Sequence, residues 1–332
     1  MLLPSLIQTN VPLHDKNWFR TGGPAAFYAE PTTEVEFAQA VTWAHSQRLP
    51  VQLIGAGANM LIADQGFAGL IIRPALQTIA YEQVDGATAL VTAGAGVDFG
   101  ELINFCLQRQ ALGLEEFSGI PGTVGGSVFI NIHYFEFLLS QFIVTARVIH
   151  AKTGLVEEVG VDWFKFGYNY STLHLGDYYV LSATFKLRHG TALEAAYAQG
   201  RQAEMIRTRG QRYPKSHTCG SFFRNFFPEE VTLESAGKKM IYVAYYLDKL
   251  GIKGQLSVGD AIVSYQHANM LFNKGAATTQ DLITLARTMQ QKVFDAYSII
   301  PQPECRLVGF SEHPLLNLQN SSVLATEAWQ QR

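Results

Sequence analysis

The sequence predicts a mixed fold of class α+β in two domains, and three observations carry that prediction. In the first half, short apolar runs end in glycine loops and alternate with helical patterns. An Ala- and Arg-rich helix around residues 191–209 then marks a boundary. The second half closes on a long helix with a buried stripe. The chain has 332 residues, 48% of them hydrophobic and 16% charged, which is ample for a sizeable core.

The elements follow in order. Arg20-Thr-Gly-Gly-Pro-Ala25 precedes a strand over residues 26–29. Thr33-Glu-Val-Glu36 reads as a capping box, with Phe37, Val41 and Ala44 at helical spacing behind it. Apolar strands are expected over 51–54, 69–72 and 89–92, a helix from about Asp98 with Leu102, Phe105 and Cys106 on one face, and strands over 142–149 and 178–187. The helix around 191–209 carries Ala195, Ala198 and Ala203 beside Arg201, Arg207 and Arg209. A helix over 242–250 and one from Thr279, with Leu282, Leu285, Met289, Val293 and Ala296 at three- and four-residue steps, complete the second half. Residues 311–332 lose periodicity and read as a tail.

Composition excludes several partners. The formal charge is −3 and the basic residues are scattered, so there is no field for nucleic acid. Cys106, Cys219 and Cys305 are three in number and far apart, which argues against a disulfide framework and a zinc site and for a reduced, cytoplasmic setting. The start, Met1-Leu-Leu-Pro-Ser-Leu-Ile7, is apolar but short and lacks a basic region, so no targeting signal is expected. The longest apolar stretch, residues 127–150, is broken by Asn131, His133, Glu136 and Gln141 and cannot span a bilayer cheaply. A monomer away from membranes is expected.

Three loops carry chemistry. Gly55-Ala-Gly-Ala-Asn59 follows a strand but lacks the third glycine of a dinucleotide fingerprint, and an extended apolar run follows instead of a helix. Its backbone N–H groups can still curl around an anion. Ser118-Gly-Ile-Pro-Gly-Thr-Val-Gly-Gly-Ser127 holds four glycines in ten positions, more than a tight turn before a helix requires. Together with residues 20–25, these loops point to a long phosphate-bearing cofactor held by two small subdomains. In the second half, Cys219-Gly-Ser-Phe-Phe-Arg-Asn225 has two readings. One is a strand that sends Phe222 and Phe223 to opposite faces. The other is an active-site segment in which Ser221, Arg224 and Asn225 line a pocket.

The order of these motifs resembles the UDP-N-acetylenolpyruvoylglucosamine reductase family. The resemblance rests on residues 20–25, 53–59 and 119–126 in the first half. In the second half it rests on residues 219–225, Gly251-Ile-Lys-Gly254, Val263-Ser-Tyr-Gln-His-Ala-Asn269 and Pro303-Glu-Cys-Arg-Leu-Val-Gly309. It spans roughly residues 10–310 and fits the family's shorter second type. It implies a two-subdomain FAD-binding fold of the vanillyl-alcohol-oxidase/PCMH type over residues 1–200, divided at about 75, plus an α+β substrate-binding domain over 201–310. It also implies the reaction. NADPH reduces FAD, and hydride then passes to the vinyl carbon of UDP-N-acetylglucosamine enolpyruvate. A general acid protonates the neighbouring carbon, giving UDP-N-acetylmuramate for peptidoglycan synthesis.

Carried over residue by residue, the resemblance makes Ser221 the proton donor and Glu304 a second catalytic group. Gly55, Ala56, Gly57, Ala58, Asn59, Gly119, Gly122, Thr123, Gly125 and Gly126 would hold the cofactor. Arg224, Asn225, His267 and Asn269 would meet the substrate, and no metal is implied. Two departures stand out. Asn169 in Phe166-Gly-Tyr-Asn-Tyr-Ser171 replaces the family's catalytic arginine. Losing a charge-assisted donor in an active site commonly costs about 2.7–4 kcal/mol of transition-state stabilisation. The family's Met-Asn-Ala-Gly-Ala-Tyr-Gly reads here as Ile130-Asn-Ile-His-Tyr-Phe-Glu136, so Ile132 to Phe135 replace small residues with bulky ones. His133 is then either a packed ring or the cation that Asn169 lacks.

Overall fold

The computed structural model describes residues 2–316. The chain forms two compact units, both discontinuous. The first takes the residues up to Val11, Ala25–Ala56 and Ala68–Arg209. The second takes Pro12–Pro24, Gly57–Phe67 and the described residues from Gly210 onward. The cut falls at 209/210, in the last turn of the helix Ala192–Arg212, so most of that helix stays with the first unit. The tail expected over 311–332 lies, from residue 317, outside the described residues.

The first unit is built on two larger sheets, with a two-stranded ribbon of His133–Tyr134 and Phe137–Leu138 beside them in sequence. One has the strand order Ile7–Pro12, Pro24–Ala29, Phe67–Ile72, Val51–Leu53, the last two being parallel. The helix Glu34–Ser46 covers it. Thr33 caps that helix through the reciprocal bonds with Glu36 that the sequence predicts. Phe37, Ala40, Val41 and Ala44 pack against Leu70 and Ile72 in one core. The second sheet is antiparallel, in the order Val156–Gly160, Ile143–His150, Tyr178–His189, Thr88–Gly94, Ile79–Gln83. The helices Phe99–Gln108 and Val124–Phe129 bury Phe99, Leu102, Val124 and Val128 in the core that contains this sheet's Val91 and Phe185.

The 118–127 loop thus does run into a helix. Thr123 is its N-cap and accepts from the Gly126 N–H at 3.4 Å. The loop is fastened to the turn that follows the strand Thr88–Gly94: Val124 N–H donates to Val97 O and Gly125 N–H to Ala95 O, both at 2.9 Å.

The second unit is built on the helices Val243–Lys249 and Thr279–Tyr297 and a small sheet of Ser257–Val258, Ala261–Val263 and Leu271–Asn273. The stripe predicted from Thr279 is buried at Leu282, Leu285, Met289 and Val293, all at 0% exposure, but ends there: Ala296, in the helix's last turn, is exposed. The extended run after Asn59 becomes the strand Met60–Ile62, paired in parallel with Arg306–Val308. Phe19 and Leu61 join the core of this unit.

The segment 219–225 is not a strand with alternating faces. Phe222 and Phe223 are both fully buried and meet edge to face, with centroids 5.1 Å apart. The segment is irregular apart from a bridge between Phe223 and Pro303.

Candidate active site

In the second unit, the serine and glutamate segments lie side by side. Glu304 N–H donates to Phe222 O at 2.9 Å, and Arg224 N–H donates to Gln302 O at 2.9 Å. Ser221 and Glu304, 83 positions apart in the chain, are thus held on two backbones that hydrogen-bond to each other. Asn59 reaches the same place: its Nδ2 donates to Glu304 O at 3.4 Å, and Arg306 N–H donates to Asn59 O at 3.0 Å. The Asn59 Oδ1 is buried and has no hydrogen-bond partner among the described residues. That acceptor suits a donor brought by a ligand.

Two residues expected at the substrate are engaged elsewhere. The Arg224 guanidinium forms a two-pronged pair with Glu230 at 2.7 and 2.8 Å, donates to Asn225 O and lies 4.4 Å above the Phe227 ring. Its side chain is 7% exposed. Breaking one partner of a buried pair costs roughly 3–5 kcal/mol, so this cation is held by the protein itself. Asn269 is 3% exposed, and its side chain bonds to Phe223 backbone at both ends. His267 accepts from Asn269 N–H through Nδ1 at 3.2 Å. Burial, then Arg212 and Lys253, push its pKa down to about 4, so the ring is neutral at physiological pH. Lys253 pairs with Asp248 at 2.9 Å. Burial, with the adjacent Cys305 thiol, drives Cys219 far above the usual thiol range and keeps it protonated.

In the first unit, the glycine loops divide by what surrounds them. A Cβ on Gly55 would stand 2.5 Å from Thr123 Oγ1, and one on Gly125 would stand 3.0 Å from Ala95 Cβ. These two glycines are demanded by packing. A Cβ on Gly126 would meet only Thr123 Oγ1 at 3.6 Å, and one on Gly122 only Ser127 Oγ at 3.7 Å. Those two faces are bare backbone, and a side chain would fill the space a phosphate group needs. The loop at 55–59 is shared: Gly55 and Ala56 belong to this unit, whereas Gly57, Ala58 and Asn59 belong to the other. There, Gly57 packs on Lys16 and Asn17. The bare faces at 122 and 126 fit a dinucleotide cofactor.

Asn169 sits at the tip of a tight turn closed by Gly167 and Tyr170, with φ +52°. Asparagine tolerates this left-handed backbone better than most side chains. Its Nδ2 is buried and has no acceptor. His133 stacks at a tilt on Tyr168, centroids 5.0 Å apart, and burial lowers its pKa below the ordinary histidine value. It is a packed, neutral ring near neutral pH, not the missing cation. Sequence reasoning did not anticipate Arg209, whose Cδ lies 3.1 Å from the Cβ position of Gly119 and whose guanidinium lies 5.3 Å from the Tyr134 ring. Nor did it find Glu230 as the partner of Arg224.

Comparison with known proteins decides the family. Residues 25–160 match the FAD binding domain family, and residues 211–308 match the family described as UDP-N-acetylenolpyruvoylglucosamine reductase, C-terminal domain. The reductase of Synechococcus sp. (strain JA-3-3Ab) is 33% identical over 315 residues, 95% of each chain. The chain belongs to the UDP-N-acetylenolpyruvoylglucosamine reductase family. Another family member, from Synechocystis sp. (strain ATCC 27184 / PCC 6803 / Kazusa), is 34% identical over 92% of each chain. The crystal structure of the Thermus caldophilus UDP-N-acetylenolpyruvylglucosamine reductase superposes with a TM-score of 0.70 at 27% identity, covering 90% of this chain and 97% of that one. Among the described residues, no helix is long and apolar enough to cross a membrane, and no cluster of His, Cys, Asp and Glu is arranged to hold a metal.

Two outcomes follow from this geometry. Gly126→Val should keep the melting temperature of the flavin-free protein and lose bound flavin. Gly125→Val should lower that melting temperature, because it strikes Ala95. Both are read by thermal denaturation and by absorbance near 450 nm. A Gly126→Val protein with full flavin content would remove this face from the cofactor site. For His267, the folded pKa of about 4 lies below the unfolded value of 6.5. Between those values the unfolded chain binds a proton that the folded chain refuses, so this share of stability is full above 6.5 and is lost as pH falls toward 4. His267→Gln should therefore show a smaller fall in melting temperature than the parent between pH 7 and 4.5. Equal falls would place the ring in contact with solvent.

Proposed function

We infer that the chain is an FAD-dependent oxidoreductase, a UDP-N-acetylmuramate dehydrogenase that reduces UDP-N-acetylglucosamine enolpyruvate with NADPH. The product, UDP-N-acetylmuramate, is a precursor of peptidoglycan. The observation that carries this reading is the bracing of the serine segment against the glutamate segment, in a chain that matches reductases of this name over 95% of its length. The free, buried cysteines suit a reducing cytoplasm, and we take the protein to act as a monomer there.

The bare backbone at Gly122 and Gly126, with Gly119 and Thr123 beside it and Gly55 to Asn59, would hold the cofactor's diphosphate. When bound, FAD supplies the hydride that NADPH provides. Ser221 holds the proton for the carbon next to the substrate carboxylate. A hydroxyl is a weak acid, so it works only if held in line and if the charge left on its oxygen is offset. Glu304 lies on the neighbouring backbone and takes the role of second acid or of partner to the carboxylate. The buried Asn169 Nδ2, a donor with no partner among the described residues, would suit an oxygen of a bound ligand. Asn225 and the neutral His267 contact the nucleotide sugar through hydrogen bonds rather than charge.

Asn169 also favours a second reading. Without the guanidinium, the chain could bind flavin and nucleotide sugar and turn over nothing. NADPH oxidation that depends on the enolpyruvyl substrate separates the two readings. Ser221→Ala should leave flavin reduction by NADPH near the parent rate and slow substrate-driven flavin reoxidation by about 10²–10⁴-fold in stopped-flow traces. Unchanged reoxidation would remove Ser221 from the chemistry. Asn169→Gly keeps the left-handed turn and deletes the amide. It should lower kcat/KM for the enolpyruvyl substrate roughly 3–10-fold, the worth of one neutral hydrogen bond. No change in kcat/KM would take Asn169 off the substrate path.

A further inference from the structure

We propose that Asn269 is a positioning residue for the proton transfer: it sets the place of Ser221 relative to Glu304 and does not bind the substrate. This rests on the reading above.

Three bonds tie Asn269 to the serine segment. Its carbonyl accepts from Phe222 N–H at 2.8 Å. Its Oδ1 accepts from Phe223 N–H at 3.1 Å, and its Nδ2 donates to Phe223 O at 2.7 Å. The side-chain amide thus takes the part that a neighbouring strand would play. It pairs with both polar groups of one buried residue. On the other side of the same backbone, Phe222 O accepts from Glu304 N–H at 2.9 Å and from Cys305 N–H at 3.3 Å, and Arg224 N–H donates to Gln302 O.

The segment 222–224 is therefore the middle of three backbones, with Asn269 standing in for one of them. Ser221 is the residue next to this clamp, and Glu304 hangs from the Phe222 carbonyl. A shift of Phe222 toward the side of Asn269 would carry Ser221 with it and pull against Glu304. Asn269 is 3% exposed, and both ends of its amide face the Phe223 backbone, so the side chain is turned to the protein rather than to a ligand. Its own N–H is engaged by His267 Nδ1.

A proton donor works only in line with the carbon that receives the proton, and a displacement of about 1 Å can cost on the order of 10²-fold in rate. Hydride delivery from NADPH to the flavin needs no proton from Ser221. Loss of the clamp should thus divide the two half-reactions. A residue that merely stabilises the unit would slow both or neither. Asn273 provides the matched control. It is buried at 1%, and its side chain likewise braces backbone, donating to Phe19 O and accepting from Gly275 and Ala277 N–H, with no bond to the serine segment.

The test uses the flavin-loaded full chain with Asn269→Ala, Asn269→Asp and Asn273→Ala. The aspartate fills the same volume, so it reports even if the alanine variant fails to fold. It keeps the acceptor for Phe223 N–H and sets an oxygen against Phe223 O. Stopped-flow absorbance should show flavin reduction by NADPH within about twofold of the parent in all three variants. Substrate-driven reoxidation should be slowed on the order of 10²-fold in both Asn269 variants and unaffected by Asn273→Ala. In the flavin-free protein, amide hydrogen exchange should rise over 221–224 and 302–305 in the Asn269 variants alone. Parent-like reoxidation in the Asn269 variants overturns the proposal. So does equal slowing of both half-reactions, or the same division produced by Asn273→Ala. If the parent itself is not reoxidised by the enolpyruvyl substrate, the reductase reading fails first and the proposal falls with it.

Discussion

The second unit depends on one constraint: the backbone of Phe222–Arg224 runs through an apolar core, where an unpaired amide or carbonyl is costly. Both phenylalanines are at 0% exposure, so water cannot serve these groups. The chain meets the constraint without a regular sheet. Asn269 closes one side, and residues 302–305 close the other. The bonds that satisfy these buried groups also fix the backbone beside Ser221 and Glu304. Stability and geometry are therefore set by the same contacts, which explains why a serine beside so much aromatic surface can be held in one place.

Charge is handled sparingly. His133 in the first unit and His267 in the second are both pushed toward the neutral form, chiefly by burial. Arg224 is neutralised by Glu230, and Lys253 by Asp248. Position 169 carries an amide rather than a charge, and neutral donors discriminate by direction more than by attraction at a distance. A change of salt concentration should touch such contacts less than it would touch an exposed guanidinium.

Much of the fold was legible because its signals are local. The Thr33–Glu36 capping box, the helix from about Asp98 and the stripe from Leu282 to Val293 are written within a few residues and appear as expected. The roles of the glycines were less legible. A glycine required by Thr123 and one left bare for a ligand look alike in sequence, and only the positions of distant neighbours separate Gly55 from Gly126. The partners of Arg224 and Asn269 were hidden for the same reason. The motif order pointed to the family, whereas the contacts of each residue depend on which groups meet after folding. The membership of residues 12–24 and 57–67 in the second unit carried no local signal, because a parallel pairing with the far end of the chain decides it.

That pairing bears on how the protein is made. Asn59 and Glu304 touch across a separation of 245 residues, and Met60–Ile62 has no strand partner until Arg306–Val308 exists. At about 5–20 residues per second, ribosomal synthesis puts roughly 10–50 s between the two halves of this contact. The apolar run Met60-Leu-Ile62 spends that interval without its partner, while the sheets of the first unit can already close around it in sequence. The second unit is thus assembled late and all at once, and its early segments are where a nascent chain would need shelter.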